Sequence, residues 1–344
     1  MNTKHKRALL ISIFSLTIIL TTIGYIYSQL FVLRPNITKN THLYIDQNDN
    51  IDSIYTKLKT KGNLKNINGF KWMTTLKSYD KYIKTGKYAI LPNENIFTIF
   101  NHLYRGQQTP TNITISSLRT IDQLISSISK QIMIDSTDIA FFFNDSTLYT
   151  KDGFNKETLP ALFIPNTYQV YWNITAKDLY NRLYKEYKLF WNEERKSKAK
   201  KLAMTPTEIT TLASIVEEET KNKQEKPIVA GLYINRLRKN IPLQADPTIK
   251  FALQDFTLRR IINSHLKIKS PYNTYINLGL PPGPIRITPP DAIDAVLNYR
   301  KHNYIYMCAK EDFSGTHNFA ITLSEHMQNA RKYWNALNKK KIYK

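Results

Sequence analysis

The sequence has 344 residues, with 42% hydrophobic residues, 10 Gly, 15 Pro and no internal repeat, which predicts about two folded domains and excludes a collagen-like, mucin-like or wholly disordered chain. Its single cysteine, Cys308, excludes an intrachain disulfide and a cysteine-based zinc or iron–sulfur cage within one chain. The net charge of +22 indicates attraction to a polyanion such as nucleic acid, anionic lipid or an acidic cell wall, although codon bias in an AT-rich genome would also enrich lysine.

The first predicted element is a membrane-spanning helix. Residues 8–27 are almost all apolar or small hydroxyl residues and carry no charge. At about 1.5 Å per residue they cover the roughly 30 Å hydrocarbon core of a bilayer. Basic residues precede them, so the positive-inside tendency puts residues 1–7 in the cytoplasm and the body outside. A cleaved signal peptide is the alternative, but its apolar core runs only about 7–15 residues and ends in a small-x-small site that is not evident here.

A small α+β unit is predicted between Thr41 and Arg105. Its pattern is strand, helix, helix, strand and a further helix before Gly106. The corresponding stretches are residues 41–45, 51–58, 70–76, 85–91 and 96–103.

The run of residues 107–112 has no apolar content and predicts a boundary, after which a larger α+β unit begins. Periodicity predicts helices around residues 121–128 and 179–190, and strands at residues 304–309 and 317–321. Thr322 with Glu325 three residues later predicts the start of a last amphipathic helix.

The most informative stretch is TPTEITTLASIVEEET, residues 205–220. Thr205 as cap, Pro206 at the first position and Glu208 three residues after the cap are a complete helix-start pattern. At about 100° per residue, Glu219 projects from the same face as the apolar residues, whereas Glu218 points towards water and Glu217 towards one flank. The alternative is that the helix ends near Val216 and all three glutamates are solvated.

A carboxyl group on a buried face loses hydration, which raises its pKa and lets it hold a proton near neutral pH. A general acid needs this property, so Glu219 is the candidate acid.

Two downstream loops carry candidate ligand-binding residues. Gln244 and Asp246 are polar residues of a loop held by Pro247. Residues 270–285 are aperiodic and dense in Pro, Gly, Tyr and Asn, and Tyr272, Asn273 and Tyr275 offer aromatic and polar groups that suit a sugar. The alternative is that these aromatic residues only pack the loop onto the body.

Four separated stretches resemble the YceG-like endolytic lytic transglycosylases, the MltG family, which cut nascent glycan strands of peptidoglycan in the bacterial envelope. In chain order they are LASIVEEET (212–220), INRLRKNIPLQADPT (234–248), SPYNTYINLGLPPGPI (270–285) and THNFA (316–320). The resemblance extends from the apolar segment to about Trp334. A weaker match, TGKYAILPNENI (85–96), is similar to the LysM-like subdomain of that family.

Together with the predicted elements, the resemblance implies an α+β protein with a single transmembrane helix. Its parts are a cytoplasmic tail (1–7), an anchor (8–28), a LysM-like subdomain (38–106) and a catalytic domain (109–344). The implied location is the bacterial cytoplasmic (inner) membrane, with the catalytic body on the outer side.

The resemblance implies a catalytic glutamate immediately before a threonine, which is Glu219. It also implies a glycan cleft with substrate-binding residues, namely Glu217, Gln244, Asp246, Tyr272, Asn273, Thr274 and His317. The chain departs from the family pattern at Glu218, where a lysine is common, and at Asn166, where an aspartate is usual. Glu218 faces solvent by the helical periodicity, so its departure is expected to be harmless, whereas any role for position 166 is in doubt.

The implied reaction is cleavage of the MurNAc–GlcNAc bond without water, with Glu219 serving as acid and then as base. No metal or organic cofactor is expected, since His265 and His317 are far apart in sequence and lack a second histidine at ligand spacing. The expected partners are peptidoglycan strands, the membrane through the anchor and glycan polymerases such as penicillin-binding proteins. Nucleic acid is not expected, because the basic body lies outside the membrane.

Two alternatives remain open. A hydrolytic muramidase would require a second carboxylate, for which Asp246 is the candidate. A non-catalytic module would use the LysM-like unit and the basic surface to hold glycan or a synthase.

Overall fold

The computed structural model describes residues 3–33, 40–62, 64, 67–258 and 260–340. The predicted start of the first subdomain at residue 38 lies outside the described residues.

The described chain begins with helix α1 (Thr3–Ser28), followed by a π-helical turn, Gln29–Leu33. Within the described residues, one helix is long and apolar enough to cross a membrane, over His5–Ser28, with a mean hydropathy of 2.2 and no part of that window buried in the protein. The helix is consistent with the predicted anchor.

The chain forms two compact units, the first of which comprises residues Met1–Asn112 and Gln169–Ile174. Its elements after α1 are β1 (Thr41–Ile45), α2 (Ile51–Thr60), α3 (Asn68–Leu76), a 3₁₀ turn (Tyr79–Lys81), β2 (Gly86–Ile90) and α4 (Ile96–Arg105). β1 and β2 are antiparallel, with Thr41 opposite Ile90 and Ile45 opposite Gly86. The predicted order of strand, helix, helix, strand and helix is confirmed.

Local signals and aromatic packing account for this unit. Asn50 caps α2 in a reciprocal pair with Ser53. Phe100 lies at the centre of the core, with its ring edge-on to Phe70 and Tyr79 at centroid distances of 5.8 and 5.7 Å. Residues 169–174 join the unit because the Asn173 amide donates to the carbonyl of Thr85 at 3.0 Å. No local sequence signal predicted this return of the chain.

The second unit comprises residues Ile113–Tyr168 and Thr175–Lys344. From the end of the first unit the elements are β3 (Thr111–Ile115), α5 (Ile121–Ser129), α6 (Ser136–Asn144), α7 (Thr147–Thr150), β4 (Asn166–Val170), α8 (Ala176–Phe190), α9 (Glu193–Lys201), α10 (Pro206–Glu219), α11 (Lys226–Arg238), α12 (Asp246–Leu253), α13 (Pro290–Leu297), β5 (Tyr306–Ala309), β6 (His317–Ala320) and α14 (Leu323–Lys339). Short 3₁₀ turns lie at Leu159–Leu162 and His265–Lys267. β3 pairs with β4, and β5 runs antiparallel to β6.

Helix α10 is the central helix of the second unit and packs against α11, α12 and α13. It starts as predicted, with Thr205 and Glu208 forming a capping box and Pro206 at the first position. The helix continues to Glu219, so the alternative of an end near Val216 is wrong. Every residue from Ile209 to Glu217 is buried, because neighbouring helices cover the polar side of α10 as well as its apolar face.

One local prediction needs correction. Asp246 does not lie in a loop but is the first residue of α12, with Pro247 directly after it. Proline fits the first turn of a helix, where its missing N–H costs nothing, and an acidic residue there suits the helix dipole.

Candidate active site

A cleft of about 530 Å³ opens in the second unit, between α10, α11, the start of α12, the β5–β6 hairpin and α14. Four of the residues predicted for the site line it, namely Glu219, Gln244, Asp246 and His317. The other four, Glu217, Tyr272, Asn273 and Thr274, are not among its lining residues. The structure therefore brings together half of the predicted set around Glu219.

Glu219 ends α10 with its carboxyl group in the cleft. The hydroxyl of Tyr233, on α11, donates to Glu219 Oε1 at 2.7 Å. Burial raises the pKa of Glu219 to about 7, the hydrogen bond from Tyr233 opposes this rise, and the negative charge of Asp246 adds to it. A carboxyl group with this pKa is protonated in a large fraction of molecules near neutral pH.

Glu217 is buried away from the cleft, contrary to the expectation that it lines the glycan site. Its carboxylate forms an ion pair with Lys226 and another with Lys221 at 3.1 Å. Lys226 also contacts Asp291 at 2.7 Å. Glu217 therefore joins the ends of α10, α11 and α13 through charge pairing.

Glu218 does not face solvent, so that expectation is also wrong. Its side chain is 12% exposed and accepts two hydrogen bonds from the Arg119 guanidinium, at 3.1 and 2.9 Å. Arg286 forms a second ion pair with the same carboxylate. Burial alone would raise the pKa of Glu218, but the hydrogen bonds from Arg119 and the charge of Arg286 lower it below the ordinary value.

Because two arginines form ion pairs with Glu218, we expect Glu218→Gln to lower the free energy of unfolding by about 3 kcal/mol. The substitution leaves the nearly buried Arg286 without its charged partner. The measurement is a urea titration followed by tryptophan fluorescence. Glu193→Gln is the matched control, since Glu193 pairs with Lys196 at an exposed site and its loss should change stability little. Equal stability of the two variants would contradict this assignment.

The three consecutive glutamates thus have three different environments. Glu217 pairs with lysines and Glu218 with arginines, whereas Glu219 forms no ion pair within the part of the chain that the structure describes. The surroundings of Glu218 and Glu219 move their pKa values in opposite directions, a pattern that marks an acid–base site. Glu219 is the one of the three that is suited to donate a proton.

The turn that carries Gln244 is held by α11. Gln244 has a φ of 52°, in the left-handed region that few residues other than glycine adopt. The buried Arg236 guanidinium donates to Gln244 Oε1, and also to the carbonyl groups of Pro242 and Ile305, each at 2.9 Å. The neighbouring structure therefore fixes a strained backbone, a feature that concentrates at functional sites.

The loop of residues 270–277 packs against the segment that carries Gln244 and so supports one wall of the cleft. Thr274, which is fully buried, accepts a hydrogen bond from the Gln244 N–H at its carbonyl, and one from the Ala245 N–H at its hydroxyl, both at 3.0 Å. Asn273 is also buried and donates to the carbonyls of Leu266 and Ile268, which precede the loop. Tyr272 packs its ring on Phe251 at 4.7 Å. These three residues support the wall of the cleft and are not among the residues that line it.

Tyr275 is the member of this loop that reaches the cleft. Its hydroxyl donates to Asp246 Oδ1, which orients that carboxylate. The pKa of Tyr275 is raised by burial and by Asp246, so the phenol stays a donor throughout the neutral range.

His317 is fixed by a buried carboxylate. Glu225 accepts hydrogen bonds from the His317 backbone N–H at 2.8 Å and contacts its Nδ1 at 3.1 Å. The Thr220 hydroxyl donates to the same carboxylate at 3.2 Å. A carboxylate partner places the proton of a neutral imidazole on Nδ1, so Nε2 carries the lone pair. In that neutral form, His317 at the wall of the cleft has a hydrogen-bond acceptor at Nε2.

Sequence reasoning missed several cleft residues, above all Tyr233, Arg236, Tyr306 and His326. Tyr233 and Arg236 are three residues apart on α11 and therefore share one face, which was the available signal. Tyr306 and His326 stack at 5.3 Å but lie on a strand and a helix whose approach is not encoded locally. Within the described residues, no group of three or more His, Cys, Asp or Glu side chains is placed to hold a metal ion.

A profile of the YceG-like family matches residues 43–332 of the chain. The endolytic murein transglycosylase of Bacillus subtilis (strain 168) is 28% identical, over 87% of this chain and 86% of that protein. The endolytic murein transglycosylase of Streptococcus pneumoniae (strain R6) is 24% identical, over 96% of this chain and 66% of that protein. The crystal structure of a YceG-like protein from Listeria monocytogenes is similar with a TM-score of 0.57 and 25% identity, over 84% of this chain and 98% of that one. The resemblance noted in the sequence is thereby confirmed, and the chain belongs to the YceG-like family.

Proposed function

We propose that this chain is an endolytic murein transglycosylase that cuts the MurNAc–GlcNAc bond of peptidoglycan strands. The observation that carries the proposal is Glu219, a carboxyl group without a charged partner in the described structure, in a cleft, with its pKa raised to about 7. The family membership and the names of the relatives support the same reaction. Gln244, Asp246 and His317 are proposed to bind the glycan around it.

The proposed reaction consumes no water. Protonated Glu219 donates its proton to the glycosidic oxygen as the bond from that oxygen to C1 of MurNAc breaks. The primary hydroxyl at C6 of the same MurNAc then bonds to C1, and its proton returns to the Glu219 carboxylate. The products are a GlcNAc hydroxyl end and a 1,6-anhydroMurNAc end, and the enzyme is restored.

The neighbours of Glu219 have roles that follow from their contacts. Tyr233 donates to Glu219 and so stabilises the carboxylate that exists between the two proton transfers. Asp246 raises the pKa of Glu219 by its charge and so favours the protonated, acidic form. Burial raises the pKa of Glu219 most, Asp246 adds to that rise and Tyr233 opposes it, so the carboxyl group can both release and regain a proton near neutral pH.

The competing reaction is hydrolysis with Asp246 as the second carboxylate. The test is mass spectrometry of the soluble products released from purified peptidoglycan by the full chain in a non-ionic detergent. We expect anhydromuramyl ends, which are lighter by one water than reducing ends. Products with reducing ends would instead establish hydrolysis, and no products would favour the binding module.

We expect Asp246→Asn to retain measurable cleavage and to give the same anhydromuramyl ends, because its proposed role is electrostatic and its amide still fits beside Tyr275. The measurement is the rate and the end-group chemistry of the same digestion. Tyr275→Phe is the matched control, since it removes the hydrogen bond but keeps the charge of Asp246. Complete loss of activity in Asp246→Asn, with reducing ends in the wild type, would overturn the transglycosylase assignment in favour of hydrolysis.

The arrangement around the site is also proposed. Residues 8–28 would anchor the chain in the cytoplasmic membrane, with residues 1–7 inside and a LysM-like subdomain (38–106) and catalytic domain (109–344) outside. The apolar helix supports the anchor, and the order of β1, α2, α3 and β2 supports the subdomain. Anchoring would restrict cleavage to glycan near the membrane, where polymerases such as penicillin-binding proteins would be partners.

A further inference from the structure

A second cavity, of about 760 Å³, lies in the second unit away from the catalytic cleft. Helix α11 separates the two, because Tyr233 and Arg236 line the cleft while Asn235 and Arg238 line the cavity. Arg236 and Arg238 are two residues apart and so project about 200° apart around the helix. The cavity is therefore a separate site that the reaction at Glu219 does not use.

The cavity is lined by cations from three parts of the chain. Lys198 and Lys201 come from α9, Arg238 from the last residue of α11, and Lys301 from the segment after α13. No acidic residue is among the lining residues. Lys198 pairs with Glu194 at 2.7 Å, whereas Lys201, Arg238 and Lys301 form no ion pair with any described residue.

Two of the polar groups have hydrogen-bond partners within the protein, although Arg238 is exposed to solvent. The Arg238 guanidinium lies 5.6 Å from the centre of the Tyr299 ring and donates to the Tyr299 hydroxyl at 3.2 Å. His302 uses both ring nitrogens within the protein, on the Ile228 carbonyl at 2.9 Å and the Tyr304 N–H at 3.1 Å. His302 is therefore a neutral part of the wall, and the charge available to a ligand comes from the lysines and Arg238.

We propose that this cavity binds a phosphate-bearing anion. A cavity of this size falls in the range of ligand sites. A guanidinium fork beside flexible ammonium groups suits phosphate oxygens, because arginine donates in pairs and lysine supplies point charges. The ligand class is a pyrophosphate or phosphodiester, whose source is a lipid headgroup or a soluble wall polymer.

The plain alternative is that these cations only complement the carboxyl ends of α9 and α11, where basic residues are favoured. Interaction with the helix dipoles accounts for Lys201 and Arg238 but not for Lys301, which lies at the end of neither α9 nor α11. This alternative predicts no ligand, so a measurement of anion binding distinguishes the two explanations.

The test uses the full chain in a non-ionic detergent at about 150 mM salt, a concentration that screens diffuse attraction. Calorimetric titration with inorganic pyrophosphate should show saturable binding of one ligand per chain. The triple variant Lys201→Gln, Arg238→Gln, Lys301→Gln should bind about tenfold more weakly or worse. A control variant with the same charge change at exposed lysines elsewhere, Lys151→Gln, Lys156→Gln, Lys177→Gln, should bind like the wild type.

Three results would overturn the proposal: no saturable binding of pyrophosphate, equal weakening in the control variant, or binding of citrate as tight as that of pyrophosphate. The source is identified by comparing short-chain phosphatidylglycerol with glycerophosphoglycerol, which carries the same headgroup without acyl chains. Tighter binding of the lipid supports a headgroup site, and equal binding supports a soluble phosphodiester. Glycan cleavage is not a readout here, so the proposed activity can fail without affecting this test.

Discussion

Glu219→Gln is expected to lower the rate of glycan cleavage by about 10³-fold or more, because an amide can neither protonate the glycosidic oxygen nor accept the proton of the C6 hydroxyl. The substitution keeps the size of the side chain and an acceptor for the Tyr233 hydroxyl. The measurement is the initial rate at which anhydromuramyl ends appear in digests of purified peptidoglycan by the full chain.

The adjacent glutamates supply matched controls on the same helical turn. Glu217→Gln and Glu218→Gln each remove one negative charge. In the wild type, Glu217 forms ion pairs with two lysines and Glu218 forms ion pairs with two arginines. We expect both to lower stability while the rate per folded molecule stays near that of the wild type. A cleavage rate in Glu219→Gln equal to that of the wild type would instead favour a glycan-binding module.

Loss of folding cannot explain the expected inactivity of Glu219→Gln. The pKa of Glu219 rises from an ordinary 4.5 to about 7 on folding, so the native state favours the protonated form. The stabilisation linked to that proton is present below pH 4.5 and is lost as pH rises through 7. At pH 8 the wild type therefore carries an unfavourable buried charge, and Glu219→Gln should unfold at the same or a higher temperature.

Much of the local structure that positions Glu219 could be predicted from the sequence. Thr205, Pro206 and Glu208 fix the start of α10, and from a fixed start the period of the helix places Glu219 on the face of Leu212 and Val216. The capped start of α14 at Thr322 and the β5–β6 hairpin were also predicted correctly. These are local features, set by backbone hydrogen bonding within a few residues.

The errors at Glu218 and Tyr233 share one physical cause. Helical periodicity distinguishes an apolar face from a polar one, but a polar face can still be covered by another part of the chain. Arg119 is 99 residues from Glu218 and Arg286 is 68 residues away, so nothing local marked Glu218 as buried. Tyr233 was missed for the same reason, because its contact with Glu219 depends on how α11 packs against α10.

The pH dependence of kcat/KM tests the role of Glu219 in the free enzyme. Since the acid must be protonated and its pKa is about 7, we expect kcat/KM to fall about tenfold per pH unit above that value. Tyr233→Phe removes the donor that stabilises the carboxylate, so the pKa of Glu219 should rise and the alkaline limb should move to higher pH.

Asp246→Asn should move the same limb in the opposite direction. The negative charge of Asp246 raises the pKa of Glu219. Removing that charge should lower the pKa, so kcat/KM should begin to fall at a lower pH than in the wild type. Tyr275→Phe removes a phenol from the same cleft without a hydrogen bond to Glu219, and its limb should stay close to that of the wild type. A profile in which Tyr233→Phe and Asp246→Asn shift together, or in which neither shifts, would mean that the limb reports a group other than Glu219. Opposite shifts are the result expected for a carboxyl group that accepts a hydrogen bond from Tyr233 and lies near the charge of Asp246, as Glu219 does.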